Sequence, residues 1–437
     1  MNLSGKRLLI MGGSRISTQI VNKAREMGVY TIVTDWYDYD KSPAKQVADK
    51  AFQVSTTDVD ALLELINKEK INGILTGFTD STLPHYAKIC EAVNFPCYGT
   101  EELFRLFTDK KRYKPLLEKY DIPTINEYKY TYKEILSKKI DVKYPVLVKP
   151  SDGSGGKGVT VCHNYEELLA GYEIAQKVSE TENVLIERFI QGDECTLFFL
   201  FDHGDVYLSG LANRHTKRNQ DQNTIPLVVG YSFPSYLTPN YIVNTLPKME
   251  KMFADVGIKD GIMFAQCLID DDEVIIYDIG YRLTGSLEYI LQENICGYNS
   301  LESMIRFSLT GEMFESDFDY KKIQAIWPRY AYNVSLLVKV KEKISEITGL
   351  EEIRSYPGVI AAVPARATGD KLPEKSKGTL QQISLRVFGS TKSQKELEQS
   401  MIDIYQIFDI KNEYGESIKL EGLSPEDLNG KLMSLNG

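Results

Sequence analysis

The chain has 437 residues, of which 43% are apolar and 26% are charged, a composition typical of a globular protein with roughly two to four domains. Its net charge is −10 and it contains no long basic run, which argues against a nucleic acid or an anionic membrane surface as a partner. No apolar run approaches the length of a membrane span, and the first residues lead into a strand without a signal-peptide layout, so we expect a cytoplasmic protein.

The cysteine and histidine content argues against a zinc site and against disulfides. No two cysteines form a C-x-x-C pair and most lie inside apolar runs, so we expect buried thiols. The four histidines are too dispersed for a histidine-rich metal site. The cysteines are Cys90, Cys97, Cys162, Cys195, Cys267 and Cys296.

Strands and helices alternate over the first hundred residues. Apolar runs at 6–11, 30–34 and 73–76 predict strands, and apolar residues at helical spacing predict helices over 16–27 and from Asp58. A β-α-β-α-β order predicts a doubly wound parallel sheet.

The carboxyl ends of these strands carry residues that could bind a small ligand. The dinucleotide motif G-x-G-x-x-G is incomplete at Gly12 and Gly13, so these glycines indicate either a tight turn or a small-substrate site. Such a site would also contain Asp35, Thr79 and Asp80, because open sheets bind ligands at this edge.

A glycine-rich stretch lies between two short apolar runs, at 144–149 and 159–162. Its free backbone N–H groups could surround an anion, with Lys149 and Lys157 supplying positive charge. The stretch is not a nucleoside-triphosphate P-loop, because Gly158 follows the second lysine and a strand follows in place of a helix. The alternative is a mobile hairpin loop.

Two further segments could form a binding site together with this loop. A helix over 109–120 places Lys110 at its start, which is of interest only if that end faces the loop. Strands over 184–190 and 195–201 meet at a bend, where free backbone groups could recognise the edge of an adenine and Glu194 could bind ribose. Read alone, the bend is a connecting turn.

An apolar hairpin over 261–282 contains Gln266 in one strand and Asp278 in the other. A carboxylate and an amide inside such a hairpin are costly unless paired, and Mg²⁺ with nucleotide phosphates would pair with them. Arg282 lies on the same face as Asp278 and could neutralise a transferring phosphoryl group. The alternative is an ion pair between Asp278 and Arg282.

Two segments are candidates to hold an anionic substrate. The polar stretch at 213–222 predicts a loop over the cleft, where Arg214 and His215 could bind a carboxylate or could simply be solvated, together with Lys217 and Arg218. Gly285 and Ser286 could donate backbone N–H groups at the start of a helix.

From about residue 319 the pattern mixes strands with helices, near 343–348 and over 394–407. It predicts a compact α+β cap that carries no chemical motif of its own.

These motifs, in this order, resemble the ATP-grasp superfamily, in the branch of carboxylate-amine ligases and biotin-dependent carboxylases. The resemblance covers about residues 5–310. It implies an N-terminal doubly wound domain at 1–108, a two-lobed ATP-grasp domain at 109–318 with its small lobe at about 123–190, and an α+β cap at 319–437. A homodimer is the oligomeric state that it suggests.

The resemblance also implies roles for individual residues. Lys110 and Lys149 would contact the phosphates of ATP, and Glu194 would hold the ribose. Gln266 and Asp278 would carry Mg²⁺. Arg282 would stabilise the acyl-phosphate step. The loop over the phosphates would comprise Ser154, Gly155, Gly156 and Lys157, and the adenine hinge Glu187, Arg188, Phe189 and Ile190.

One departure from the family concerns the metal. The usual Glu-x-Asn-x-Arg reads Asp278-Ile-Gly280-Tyr-Arg282 here, so we expect one firmly held ion and one loosely held ion, or a shifted backbone, in place of two fully ligated ions. The implied function is an ATP-dependent ligase that joins a small carboxylate to an amine, for example two amino acids. The alternatives are an ATP-dependent carboxylase using bicarbonate and a nucleotide-binding regulatory protein with a degenerate metal site.

Overall fold

The computed structural model describes residues 3–153, 156–217 and 225–435. The strands are β1 (Arg7–Met11), β2 (Tyr30–Thr34), β3 (Lys50–Phe52), β4 (Gly73–Thr76), β5 (Val146–Pro150), β6 (Thr160–Cys162), β7 (Val184–Arg188), β8 (Glu194–Asp202), β9 (Asp205–Lys217), β10 (Leu227–Phe233), β11 (Gly261–Asp270), β12 (Glu273–Gly280), β13 (Tyr330–Leu337), β14 (Glu346–Thr348), β15 (Val359–Pro364), β16 (Ile383–Thr391) and β17 (Asp409–Lys411).

The α-helices are α1 (Thr18–Glu26), α2 (Pro43–Val47), α3 (Val59–Glu69), α4 (Leu83–Val93), α5 (Glu101–Thr108), α6 (Lys110–Lys119), α7 (Tyr132–Leu136), α8 (Tyr165–Val178), α9 (Thr238–Asn244), α10 (Leu246–Val256), α11 (Tyr289–Ile295), α12 (Ser300–Thr310), α13 (Leu350–Arg354) and α14 (Gln394–Ile407). Among the described residues, none of these helices has both the length and the apolar character required to cross a membrane.

The N-terminal sheet is parallel, with the order β3-β2-β1-β4. The strands predicted at 30–34 and 73–76 are confirmed, as is the helix from Asp58, whose carboxylate accepts a hydrogen bond from the backbone N–H of Ala61. That bond satisfies one of the free donors at the start of α3. The predicted doubly wound parallel sheet is therefore confirmed.

A small antiparallel sheet, with the order β6-β5-β7, carries the glycine-rich stretch between β5 and β6. Helices α7 and α8 pack on it around a core of their own that includes Val146, Val148 and Leu168. The two apolar runs on either side of the loop are therefore hydrogen-bonded neighbours, so the loop lies at one end of a rigid hairpin.

The largest sheet has eight strands in the order β12-β11-β8-β9-β10-β13-β16-β15. It runs without interruption across residue 318, because β10 pairs with β13 in the register Gly230 with Val334. Helix α14 packs on β13 and β16 over a core that includes Val334, Val387 and Met401. The segment after residue 319 thus extends the large sheet, and so can contribute side chains to the surface that the sheet encloses.

Two local predictions are wrong. The segment at 343–348 contains strand β14, which pairs with β17, and the helix α13 starts only at Leu350. The polar stretch predicted as a loop from 213 belongs to β9 up to Lys217, since it pairs with both β8 and β10. In both cases a distant strand satisfies the backbone, which a local pattern does not record. Residues 218–222 of that stretch, including Arg218, are outside the described residues.

Trp327 and Trp36 provide a matched test of this packing. Trp327 is fully buried, its ring stacks on Phe233 at 4.2 Å between centroids, and its Nε1 donates to the carbonyl of Ser209 at 2.9 Å, whereas Trp36 is 64% exposed. We expect Trp327→Ala to lower the free energy of unfolding by about 3–5 kcal/mol, because it leaves a cavity and an unpaired carbonyl. Trp36→Ala should change it by less than about 0.5 kcal/mol. Denaturant titration of both variants measures this, and equal losses would contradict the packing described.

Candidate active site

A cavity of about 530 Å³ lies between the small antiparallel sheet and the eight-stranded sheet. Strand β5 and the end of β7 form one wall, and β9 to β12 form the other. Most of the residues that the sequence predicts for the site line this one cavity. They are Lys110, Lys149, Gly156, Arg188, Phe189, Ile190, Glu194, Arg214, Gln266, Asp278, Arg282, Gly285 and Ser286.

The other predicted residues lie elsewhere. Lys157 is exposed and is not part of the cavity wall, and Ser154 and Gly155 are outside the described residues. Glu187 and His215 are buried and do not line the cavity. Glu187 stands opposite Leu147 in the β5–β7 pair, so its side chain projects from the same sheet face as the cavity residues Leu147 and Lys149.

Glu187 forms a buried ion cluster with two lysines. Its Oε1 lies 2.5 Å from Nζ of Lys114, and its Oε2 lies 2.7 Å from Nζ of Lys149. Burial favours the neutral acid, but the two ammonium groups outweigh it and lower the pKa of Glu187. One carboxylate therefore holds helix α6, through Lys114, against the small sheet.

Lys110 connects the glycine-rich loop to the large sheet. Its Nζ lies 2.6 Å from Oδ1 of Asp278 and donates to the carbonyl of Gly153 at 3.1 Å, while its backbone N–H donates to the carbonyl of Ser151 at 2.9 Å. The start of α6 therefore faces the loop, as a phosphate-contacting role for Lys110 requires.

The two cavity lysines have pKa values shifted in opposite directions. For Lys110, burial lowers the pKa but the adjacent Asp278 outweighs it, so the pKa is raised. For Lys149, burial lowers the pKa, Glu187 compensates only in part, and Lys110 adds repulsion, so the pKa is lowered. Of these two lysines, Lys149 is therefore the one that would gain more from another anion in the cavity.

Gln266 and Asp278 stand directly opposite each other in the β11–β12 hairpin. Opposite residues project from the same face, so one carboxylate and one amide oxygen point into the cavity together. Mg²⁺ is commonly bound by one or two protein oxygens together with phosphates and water. This donor set fits one such ion, with Lys110 as the present partner of Asp278.

The third position of the family's metal motif is filled by an aromatic ring. Phe264 pairs with Gly280 across the hairpin, and a Cβ at residue 280 would overlap the Phe264 ring. The guanidinium carbon of Arg282 lies 5.1 Å from the centroid of the same ring. Sequence reasoning noted the missing side chain at 280 but not the phenylalanine that occupies its place.

Arg282 pairs with the N-terminal sheet domain and not with Asp278. Its Nε and Nη2 donate to the two carboxylate oxygens of Asp80 at 2.6 and 2.8 Å, and Nη1 donates to the carbonyl of Leu283 at 2.9 Å. This two-point contact fixes the plane of the guanidinium. Two of its five N–H donors remain for a ligand.

At the opposite end, the cavity is apolar with a polar edge. Glu194 pairs with Arg214, and the hydroxyl of Tyr277 donates to Glu194 at 2.9 Å. Apolar side chains of both sheets surround this edge. They are Ile125, Leu147, Phe189, Ile190 and Leu268.

Arg386 on β16 also lines the cavity, and the sequence analysis missed it. No described residue forms a hydrogen bond or an ion pair with its side chain. Burial lowers the pKa of Arg386 to about 10, with some compensation from Tyr231 and Tyr289, so it is charged at neutral pH. Asn333 of β13 donates to the carbonyl of Ser286 at 2.8 Å, which places the segment after Arg282 beside the strands that carry Arg386.

Comparisons with known proteins agree with this geometry. Residues 109–198 match the family described as carbamoyl-phosphate synthase L chain, ATP binding domain. That segment contains α6, the small sheet and its glycine-rich loop. Residues 109–198 are therefore similar to an ATP-grasp ATP-binding domain.

Curated relatives are distant and longer than the matched region. The carbamoyl phosphate synthase large chain of Clostridium botulinum is 25% identical over 280 residues, which cover 63% of this chain and 25% of the relative. The 2-oxoglutarate carboxylase small subunit of Hydrogenobacter thermophilus is 27% identical over 223 residues, which cover 46% of each. The chain thus aligns with a quarter to about half of the length of these relatives.

Solved structures share the fold over nearly the whole chain. The L-amino acid ligase from Bacillus licheniformis has a TM-score of 0.76 at 19% identity, covering 94% of this chain and 99% of the ligase. The biotin carboxylase domain dimer of the Hydrogenobacter thermophilus 2-oxoglutarate carboxylase, solved with MgADP, ADP and bicarbonate, has a TM-score of 0.74 at 17% identity, covering 95% and 91%. At these identities the likeness concerns the fold alone.

His215, which the sequence analysis proposed as a substrate contact, does not line this cavity. The residue before it, Arg214, faces the cavity, and side chains alternate along a strand, so His215 faces the other side of β9. There it is 3% exposed, and its Nε2 lies 2.8 Å from Oγ of Ser232. Burial, aided by Lys431, lowers the pKa of His215 to about 4.

A second cavity, of about 610 Å³, lies at the carboxyl ends of the N-terminal strands. Gly12, Gly13, Asp35 and Thr79 all line it, as the sequence led us to expect, whereas Asp80 is engaged by Arg282. The carboxylate of Asp35 accepts hydrogen bonds from Gly13 and from Ser42 and pairs with Lys45, so it is a structural group here. A substrate site at this edge stays a prediction.

The low pKa of His215 predicts acid sensitivity. In the unfolded chain the imidazole of His215 takes up a proton below about pH 6.5, whereas in the folded protein it stays neutral down to about pH 4. The free energy of unfolding therefore decreases as the pH falls from 6.5 to 4. The loss from this group is on the order of 3 kcal/mol. We expect His215→Gln to flatten the pH dependence of the free energy of unfolding between pH 6.5 and 4. The exposed His163→Gln serves as the control, and an equal slope in wild type and His215→Gln would contradict the argument.

Proposed function

We propose that this protein is an ATP-dependent ligase that activates a small carboxylate as an acyl phosphate and transfers the acyl group to an amine. The observation that carries the proposal is the continuity of one cavity. It joins an apolar end, a middle with Lys110 and Lys149 facing Asp278, and a far end with Arg282 and the unpaired Arg386. A planar base, a polyphosphate and a second anion would occupy these parts in turn.

The nucleotide would bind with its base at the apolar end, between the two sheets. Backbone groups of the segment after β7 would meet the edge of the adenine, and Glu194 would meet the ribose hydroxyls after loosening from Arg214. The phosphates would lie against Lys149 and Lys110. The cavity wall carries cationic side chains although the net charge of the chain is −10, so the wall favours an anionic ligand.

Mg²⁺ would be held by Asp278 and Gln266 together with the phosphates. Its binding would supply charge neutralisation at the transferring phosphoryl group. Asp278 would then exchange its contact with Lys110 for the metal, and Lys110 would be released toward a phosphate oxygen. Gly280 offers no third side-chain oxygen, so the proposal includes one ion.

The acid would bind beyond the phosphates. Arg386 has no hydrogen-bond or ion-pair partner among the described residues, and a partly buried guanidinium is costly without one, so a substrate carboxylate at this end would lower the free energy of both groups. One carboxylate oxygen would attack the γ-phosphorus and ADP would leave. The amine would then attack the acyl carbon, phosphate would leave, and the nitrogen would lose one proton. Arg282, whose guanidinium plane is fixed by Asp80, would neutralise negative charge on the oxygens of the transferring phosphoryl group.

The test of this proposal supplies purified protein with ATP, Mg²⁺ and mixtures of carboxylic acids and amines. We expect release of ADP and phosphate that requires both an acid and an amine. ADP release that depends on bicarbonate would indicate a carboxylase and not a ligase, because bicarbonate is also an anion that could pair with Arg386. Tight ATP binding without release under any mixture would favour a regulatory nucleotide-binding protein.

Two variants connect the assay to the site. We expect Lys149→Ala and Asp278→Asn each to abolish turnover while the thermal melting curve stays near that of wild type. The fold should tolerate Lys149→Ala because Glu187 keeps its contact with Lys114. A melting temperature that collapses in either variant would assign that residue a structural role.

Arg386 gives a separate prediction about the acid. We expect Arg386→Ala to raise the KM for the carboxylate by about 10- to 100-fold, the worth of one charge-assisted contact, with the KM for ATP nearly unchanged. Arg386→Lys should recover part of the loss, and the exposed Arg354→Ala should have no effect. An equal rise in both KM values, or no rise, would place the carboxylate elsewhere.

A further inference from the structure

A cluster of metal-ligating side chains lies at the far end of β8 from the cavity. Asp202 and His203 form the turn between β8 and β9, and Asp260 precedes β11. One ligand atom from each of the three lies within 4.8 Å of the others. Glu194 begins the same strand at the cavity, so the strand length puts roughly 26 Å between the two places.

The carboxylate of Asp202 has an unexplained oxygen. The side chain is only 4% exposed, and its Oδ2 accepts a hydrogen bond from the hydroxyl of Tyr320. Its Oδ1 has no hydrogen-bond partner among the described residues and lies 4.0 Å from Nε2 of His203. A buried carboxylate oxygen without a partner is costly, so this atom points to a ligand that is a cation or a donor.

Glu312, just after α12, adds a third carboxylate, with its Oε2 at 2.9 Å from Nε2 of His203. Within the described residues, no lysine or arginine forms an ion pair with Asp202, Asp260 or Glu312. In the part of the chain that the structure describes, the imidazole of His203 is the one basic group within ion-pair distance of these acids, and it carries charge only when protonated. The cluster thus combines excess negative charge with a nitrogen that can bind a metal.

We propose that Asp202, His203 and Asp260 bind a divalent cation of the zinc type, with Glu312 as a fourth ligand. In a tetrahedral site two ligand atoms at bond lengths near 2.1 Å are about 3.4 Å apart, so ligand atoms up to 4.8 Å apart must approach one another by up to about 1.4 Å. His203 and Glu312 are exposed and can make that movement, while the buried Asp202 stays in place. An imidazole among carboxylates favours zinc-type ions over Mg²⁺ or Ca²⁺.

The bound ion would cross-link three segments that are distant in sequence. They are the β8–β9 turn, the residues before β11 and the end of α12. The carbonyl of Asp260 also accepts a hydrogen bond from the hydroxyl of Tyr281 at 2.5 Å, and Tyr281 is the neighbour of Arg282 in the chain. We assign the ion a structural role, because it holds the base of the hairpin whose other end forms the cavity.

The experiment titrates the full-length, metal-stripped and nucleotide-free protein with Zn²⁺ by calorimetry, and with Co²⁺ as a spectroscopic probe of the imidazole ligand. We expect one equivalent of Zn²⁺ to bind and to raise the melting temperature. His203→Gln and Asp202→Asn should each weaken the binding by about tenfold or more and should alter the visible Co²⁺ bands.

Two control variants separate this site from the cavity. The exposed His163→Gln and the cavity variant Asp278→Asn should bind Zn²⁺ as wild type does. If Asp202→Asn does not fold, His203→Gln decides the matter, because its side chain is 61% exposed. Absence of stoichiometric binding in wild type, unchanged binding in His203→Gln, or loss of binding in Asp278→Asn would overturn the proposal.

Discussion

Glu187 is a single buried carboxylate shared by two buried lysines, and the shape of the cavity depends on this shortage of negative charge. Lys114 brings α6 to it and Lys149 brings β5. Taking either lysine out of water is expensive, and one carboxylate compensates both only in part, which the lowered pKa of Lys149 records. A polyphosphate is the kind of ligand that would complete the charge balance.

The same logic extends from the small sheet to the large one. Lys110, at the start of α6, contacts Asp278 of β12 and the carbonyl of Gly153 after β5, so one side chain joins the two sheets. A separate ion pair, between Arg282 and Asp80, joins the segment after β12 to the residues after β4. Because each contact joins two different sheets or domains, ligand binding that replaces one of them would also change how the lobes are held together.

Local patterns in the sequence predicted the elements but not the side-chain partners. The glycine-rich loop, the cap at Asp58 and the helix at 394–407 follow from nearby residues, and the structure contains all three. The direction that His215 faces depends on the pairing of β9 with β8 and β10, and no nearby residue encodes it.

Arg386 was missed for a related reason. It belongs to a segment that was interpreted as a separate cap, and it reaches the cavity only because β13 and β16 extend the large sheet. A single charged residue in a strand carries no motif. In β16 only Arg386 and Ser390 are partly exposed among buried neighbours, and this pattern is known only from the structure.

Gly280 bears on whether the metal site has decayed. A glycine in place of the asparagine at position 280, with nothing else changed, would leave an empty space on this face of the hairpin. Instead the ring of Phe264 fills the space that a Cβ at 280 would need, and Arg282 lies over the same ring. A glycine opposite a large aromatic residue is a coupled pair, because any larger residue at 280 would require Phe264 to move. Gln266, Asp278 and both lysines line the same cavity as this pair. For the function proposed above, that combination retains the two donor side chains that one ion requires.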